Sequence, residues 1–176
     1  MSQIHPVQAL LDDHRVIEGV LNIFEAKLSA RPHEPFPGCW LADALEFFRH
    51  FVEGCHHDKE EHVVFPALRV PELLEEHRSG AAYLDRLEIF LQAARCGEAP
   101  AREAFRREGL AYVAFLRDHV RREDILLHWV ARQPASAAEI ERLQEGFSPE
   151  EFHQMSEESH QAYMALAERL CAAKAA

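Results

Sequence analysis

Six histidine and glutamate residues recur in one register along the chain, and they are residue types that bind metals. Residues 10–15 read Leu-Leu-Asp-Asp-His-Arg, and residues 73–78 read Leu-Leu-Glu-Glu-His-Arg, an offset of 63 positions. The same shift, without a gap, brings the His-x-x-x-Glu segment at 56–60 onto the one at 119–123. Each half of the chain therefore carries one isolated His and one His-x-x-x-Glu pair. The full set is His14, His56, Glu60, His77, His119 and Glu123.

The spacing and the residue types together predict a metal centre in a helical core. Residues four positions apart lie on one face of an α-helix, so each His-x-x-x-Glu pair can direct both side chains to one centre. Burying several imidazoles and carboxylates together is costly unless a bound cation compensates the charge and uses the lone pairs. Nitrogen and carboxylate ligands, more numerous than one tetrahedral zinc uses and without thiolate, favour two first-row metal ions bridged by carboxylates. Iron is the expected metal.

Two alternatives stay open at the level of single residues. A lone His on an apolar helix face is more often a hydrogen-bonded core residue than a ligand, and only the repeat outweighs this reading. His57 and Glu61 have the same four-residue spacing as His56 and Glu60, so they are an alternative pair. The repeat aligns His57 with Val120, and we therefore expect His57 beside the ligands or at the surface. His62 is expected in the core or near the ligands.

The sequence predicts that long helices carry these residues. Apolar residues recur at helical spacing in four segments, which clusters of Pro and Gly separate. Two capping boxes, Ser136 with Glu139 and Ser148 with Glu151, predict shorter helices near the C-terminus. We expect a single all-α domain over 1–176, with an antiparallel up-and-down four-helix bundle at about 7–133 and C-terminal helices at about 136–172. The four long helices are predicted at about 7–30, 40–65, 72–95 and 101–133.

Composition excludes several classes of partner. The 176 residues carry a formal net charge of -11, which disfavours nucleic acid and anionic membrane surfaces. No apolar run reaches the roughly 18 residues of a membrane span, and the N-terminal residues lack the apolar segment of a secretory signal, so the cytoplasm is expected. The four cysteines form no Cys-x-x-Cys pair, which disfavours a thiolate zinc site.

The ordered set of motifs resembles the hemerythrin-like, or HHE cation-binding, family. His14, the segment 56–66, His77 and the segment 119–127 follow the order of that family's motifs, and the resemblance covers about residues 7–130. It implies an antiparallel four-helix bundle that holds two iron ions joined by an oxo or hydroxo bridge. Glu60 and Glu123 would bridge the ions, and the histidines would be terminal ligands.

One position departs from the pattern of oxygen-carrying hemerythrins. Those proteins have two His four residues apart on the third helix, whereas Ala81 stands four residues after His77 in this chain. His160, beside the apolar face of the last helix, is expected to supply the missing ligand. Tyr163, one turn further on, is expected to be a core aromatic or to lie beside the ligands.

The resemblance implies a non-haem di-iron protein that binds dioxygen or a related small ligand such as peroxide or NO. Sensing, oxygen handling and redox protection are the expected uses, and ligand binding is favoured over turnover. The alternative is iron storage, iron delivery or iron–sulfur repair without small-ligand chemistry.

Overall fold

Every regular element that the structure describes is helical. The computed structural model describes residues 6–29, 36–65, 70–131 and 157–173. Within these ranges the all-α prediction is confirmed, and none of the helices combines the length and apolar character that crossing a membrane requires. Both capping boxes lie outside the described residues. The elements are α1 (Pro6–Leu28), α2 (Gly38–Phe47), the π-helical segments π1 (Phe48–His57) and π2 (Glu60–Val64), α3 (Pro71–Arg95), α4 (Ala99–Ala131) and α5 (Glu157–Ala172).

A tight turn joins α3 to α4. Pro71 occupies the first turn of α3, where its missing N–H costs no hydrogen bond. Gly97 ends that helix with a φ of +96°, a left-handed conformation that glycine adopts without steric strain. The N–H of Gly97 donates to Ala94 O and the N–H of Glu98 donates to Ala93 O, which satisfies the last carbonyls of α3.

Contacts between neighbouring helices join residues early in one helix to residues late in the other. Between α1 and α4 they pair Leu28 with Gly109, Glu25 with Arg117, and His14 with Asp124. Between π1 and α3 they pair Arg49 with Glu88 and His57 with His77. The last helix, α5, packs on α1, α2 and π1.

The predicted metal residues lie between two buried apolar clusters. The larger cluster includes Phe24, Phe48 and Tyr112, and the smaller includes Leu10 and Leu127. Along each of the four long helical stretches, the His and Glu positions fall between residues of one cluster and residues of the other. The fold therefore holds these polar residues in a layer with apolar packing on both sides.

Candidate metal centre

A layer of buried histidine and glutamate side chains crosses the bundle, and we call it the polar layer. Each of its members is at most 3% exposed. The structure brings together all six residues of the sequence repeat and adds His57. The polar layer consists of His14 from α1, His56 and His57 from π1, Glu60 from π2, His77 from α3, and His119 and Glu123 from α4.

The polar layer divides into two groups that share a carboxylate. One group is His14, His56, Glu60 and Glu123, and the other is His57, Glu60, His77 and His119. Within each group, one ligand atom from every residue lies within 4.8 Å of all the others. Four residues at this separation can enclose one metal ion, so the arrangement offers two adjacent cation positions.

Both carboxylates face both groups. Glu60 Oε1 lies 3.8 Å from His14 Nε2, while Glu60 Oε2 lies 3.6 Å from both His56 Nε2 and His77 Nε2. Glu123 Oε1 lies 3.0 Å from His119 Nε2, and Glu123 Oε2 lies 3.5 Å from His14 Nε2. Each carboxylate can therefore reach two neighbouring ions at once.

Most ligand atoms of the polar layer lack a hydrogen-bond partner although they are buried. They are His14 Nε2, His56 Nε2, His57 Nε2, Glu60 Oε2, His119 Nε2 and Glu123 Oε2. Buried polar atoms in native proteins are nearly always satisfied, because an unpaired one costs about 1–3 kcal/mol. Metal ions at the two positions would use these lone pairs, so the residues present fit a pair of bound cations.

In the metal-free protein the two glutamates have opposite pKa shifts. Burial and the neighbouring Glu123 carboxylate raise the pKa of Glu60 well above its usual value. Burial would also raise the pKa of Glu123, but the facing imidazoles of His119, His14 and His77 hold it well below that value. Burial likewise opposes the charged form of His14, yet a hydrogen bond to Asp124 and the nearby Glu123 carboxylate raise its pKa to about 9. Without metal, the layer therefore has to hold protons where cations would bind.

The π-helical backbone explains how both His56 and His57 enter the layer. Adjacent residues of an α-helix are about 100° apart, which would turn one of two neighbouring side chains away. A π-helical turn contains more residues, so neighbouring side chains diverge less. The His57 ring stacks on the His77 ring, with centroids 3.6 Å apart and planes within 5°. Of the two places expected for His57, beside the ligands or at the surface, the surface is wrong, because the sequence pattern carries no sign of the wider turn.

Other histidines and Glu61 lie outside the two groups. His160 is about one third exposed, and its Nε2 lies 3.9 Å from Asp13 Oδ1, on the outer side of the layer. His62 is exposed, so its expected place in the core or near the ligands is wrong. Glu61 accepts a hydrogen bond from His77 Nδ1 at 2.8 Å and so lies behind a layer histidine rather than among the ligand atoms. The half-buried ring of Tyr163 stacks on His50, away from the groups.

A surface pocket of about 580 Å³ between α1 and α4 reaches one end of the polar layer. Its walls include Leu11, Gly19 and Val120, and His14 and Asp124 line it as well. The position near His14 and His56 is thus the one that the pocket approaches from solvent.

Comparison with known proteins identifies a matching family. The chain matches the hemerythrin HHE cation binding domain over residues 5–130. The uncharacterized proteins Mb2018 of Mycobacterium bovis and Rv1995 of Mycobacterium tuberculosis are each 28% identical to it over 164 residues, which is 87% of this chain and 64% of theirs. The chain thus spans less than two thirds of the length of these relatives, and no solved structure matches it significantly. Because the family match covers most of the chain and includes the whole polar layer, the chain belongs to the hemerythrin HHE cation-binding domain family.

Proposed function

We propose that the polar layer holds two iron ions and that the protein binds dioxygen or a related small ligand, such as peroxide or NO, at that pair. The observation that carries the proposal is the pair of His and Glu groups that share Glu60, with the oxygens of Glu123 divided between them. The proposal includes an antiparallel, up-and-down arrangement of the four long helices, which the opposed order of their contacts supports.

The ligand set leaves room for one exogenous ligand. His14 and His56 would hold one ion, His57, His77 and His119 the other, and Glu60 and Glu123 would bridge them. In two six-coordinate ions, five imidazoles, two bridging carboxylates and a bridging oxo or hydroxo group fill every position but one. The open position would be on the ion that His14 and His56 would hold. His57 completes the five imidazoles, so His160 is not needed as a ligand.

The remaining residues control access to the layer. When bound, the iron pair would supply reversible ligand binding and one-electron redox chemistry. Apolar clusters pack on both sides of the layer, and its members are at most 3% exposed. The pocket lined by His14 and Asp124 gives small molecules an approach on the side of the open position. This combination of a buried interior and one approach suits a small diatomic or anionic ligand.

The test is the metal content and visible spectrum of the full chain purified in air, followed by titration with azide. We expect two irons per chain, an absorption band of an oxo-bridged ferric pair, and uptake of one azide with a spectral change. Glu60→Ala and Glu123→Ala should lose most of the iron, since each removes a ligand from both ions.

Three outcomes would count against parts of the proposal. A parent protein without bound iron would overturn it, and so would two irons retained in both glutamate variants. Two irons with no azide uptake would exclude small-ligand binding and favour iron storage or delivery.

A further inference from the structure

Each histidine of the polar layer has its own carboxylate at Nδ1, the ring nitrogen that faces away from the centre. In three pairs the Nδ1–H donates a hydrogen bond of 2.7–2.9 Å, and in the other two the nitrogen and oxygen are 3.5 and 3.6 Å apart. The pairs are His14 with Asp124, His77 with Glu61, His119 with Glu76, His56 with Asp13, and His57 with Glu53.

These carboxylates form a second ring outside the polar layer, which we call the carboxylate shell. None of its members belongs to either group of ligand atoms. They come from different elements: α1, π1, π2, α3 and α4 contribute one each. The shell is defined as Asp13, Glu53, Glu61, Glu76 and Asp124.

In four of the five pairs, the shell decides which ring nitrogen is free to bind a metal; His57 Nδ1 and Glu53 are too far apart for a hydrogen bond. An ionised carboxylate only accepts hydrogen bonds, so a facing Nδ1 has to carry the proton. In a neutral imidazole the lone pair then resides on Nε2. For His14, His56, His77 and His119, Nε2 is the atom that lies 3.0–3.8 Å from Glu60 or Glu123. The shell and the layer thus agree on one ring orientation.

Gly80 on α3 leaves room for one carboxylate of the shell. A Cβ added at Gly80 would lie 3.1 Å from Glu53 Oε1 and 3.6 Å from the ring of Phe115. A glycine at this position therefore lets the Glu53 carboxylate approach His57 from beside α3.

We propose that the carboxylate shell positions the imidazoles of His14, His56, His77 and His119 for coordination through Nε2 and supplies negative charge that favours the trivalent over the divalent state of the bound iron. This inference rests on the proposed function, because it concerns the state of the iron that the layer would hold. A carboxylate on the outer nitrogen makes a ligating imidazole more basic. The shell acts from the edge of the layer, because its side chains range from 9% exposed at Asp13 to 41% exposed at Asp124.

Two nearby cations offset only part of this charge. Lys59 Nζ lies 3.2 Å from Asp13 Oδ2, and Arg122 pairs with Glu76. His160 approaches Asp13 from outside, which gives it a place next to the shell rather than in the metal site. Neutralising Arg122 therefore makes the charge near the shell more negative, whereas neutralising a shell carboxylate makes it less negative.

The experiment compares Glu76→Gln with its neighbour on the same helix, Glu75→Gln. The amide keeps an acceptor for His119 Nδ1–H and removes the charge, whereas Glu75 is exposed and pairs with Arg78. We expect both variants to retain two irons. Spectroelectrochemical titration should show that Glu76→Gln shifts the ferric-to-ferrous ratio at least tenfold towards ferrous, or 59 mV for a one-electron couple.

Further variants separate charge from orientation. Arg122→Gln removes a cation and should shift the ratio towards ferric, a change of sign that general loosening of the structure would not produce. Asp124→Asn should act like Glu76→Gln through a different histidine. Glu76→Ala, which also removes the acceptor, should weaken iron affinity by about 10- to 100-fold.

The outcomes distinguish this inference from the proposed function. If the parent chain holds two irons but Glu76→Gln and Asp124→Asn titrate like Glu75→Gln, the charge effect is refuted and the proposed function stands. If Glu76→Ala binds iron as tightly as the parent, the positioning effect is refuted. If the parent takes up no iron, the proposed function fails, and this inference fails with it.

Discussion

His57 and His160 are the two residues whose places differ most from the sequence expectation. His57 is buried in the polar layer and stacked on His77, while His160 lies outside both groups beside Asp13. The geometry therefore favours His57 as the fifth imidazole of the proposed site.

Substitution of these two histidines gives a direct comparison. We expect His57→Ala to lower the iron content of the purified protein to one ion per chain or fewer, because the second ion loses an imidazole. His160→Ala should keep two irons and nearly unchanged helical content. Elemental analysis and circular dichroism check both. Loss of iron in His160→Ala with two irons kept in His57→Ala would reverse the assignment.

His14 predicts a pH dependence of metal binding. In the metal-free protein, burial disfavours its charge but Asp124 and Glu123 raise its pKa from 6.5 to about 9. A metal ion has to displace that proton, so affinity should rise by up to about tenfold per pH unit between pH 7 and 8.5. Competition of Zn²⁺ with a chromophoric chelator measures this, and a pH-independent affinity would contradict it.

The same pKa shift should make the metal-free fold less stable as the pH rises, whereas metal affinity should increase. A folded-state pKa above the unfolded value means that the His14 contribution is fully present below about pH 6.5 and is lost as the pH rises through 9. Asp124→Asn removes one of the groups that raise this pKa, so it should reduce both pH dependences and is the matched control.

At the scale of elements, the polar layer depends on helix stretches with unusual turns and on close helix contacts. π1 and π2 flank the residues Asp58 and Lys59, and this irregular stretch carries His56, His57 and Glu60 into the layer. The contact of α1 with α4 is close at Gly109, where an added Cβ would lie only 2.7 Å from Leu28 Cδ1.

Two glycine substitutions test this close contact. Gly109→Ala should lower the free energy of unfolding of the metal-free protein by about 1–2 kcal/mol, since overpacking against the buried Leu28 outweighs the helix propensity gained. Gly19→Ala is the control, because its added Cβ meets only Cys171 Sγ at 3.5 Å, an ordinary contact. It should be neutral or stabilising by up to about 1 kcal/mol. Urea denaturation measures both, and equal effects would contradict the prediction.

For the whole molecule, the polar layer joins all four long helical stretches between two apolar clusters. A metal pair bound there would connect these helices to each other. Without metal, Glu60 and Glu123 are buried next to each other, and the Glu123 carboxylate and burial raise the pKa of Glu60. The stability of the whole fold should therefore depend on metal.

Metal removal tests this dependence. At a free metal concentration 100 times the dissociation constant, binding adds about 2.7 kcal/mol. For a domain of this size that corresponds to a rise in Tm of about 5–11 °C. Calorimetry with Fe²⁺ under anaerobic conditions, before and after a chelator, measures the shift, and Glu60→Ala should show little of it. A parent protein whose Tm ignores both additions would contradict the prediction.

The sequence by itself determined the helical class and the six repeated residues of the layer. Helical periodicity and the spacing of His56 and Glu60 are local properties, and the repeat applies them twice, to His14 with His56 and to His77 with His119. Two similar helical hairpins place equivalent residues at the same height along the bundle. These six residues could therefore be predicted from one sequence.

Only the tertiary structure decided which fifth histidine joins the layer and which carboxylates surround it. His57 enters because two π-helical segments change the direction of neighbouring side chains, and His160 stays outside because α5 packs it against Asp13. The partners of the layer histidines lie on other elements in most pairs, such as Glu76 for His119 and Asp124 for His14. Contacts between residues distant in sequence depend on how the helices pack, and no periodicity along one helix encodes them.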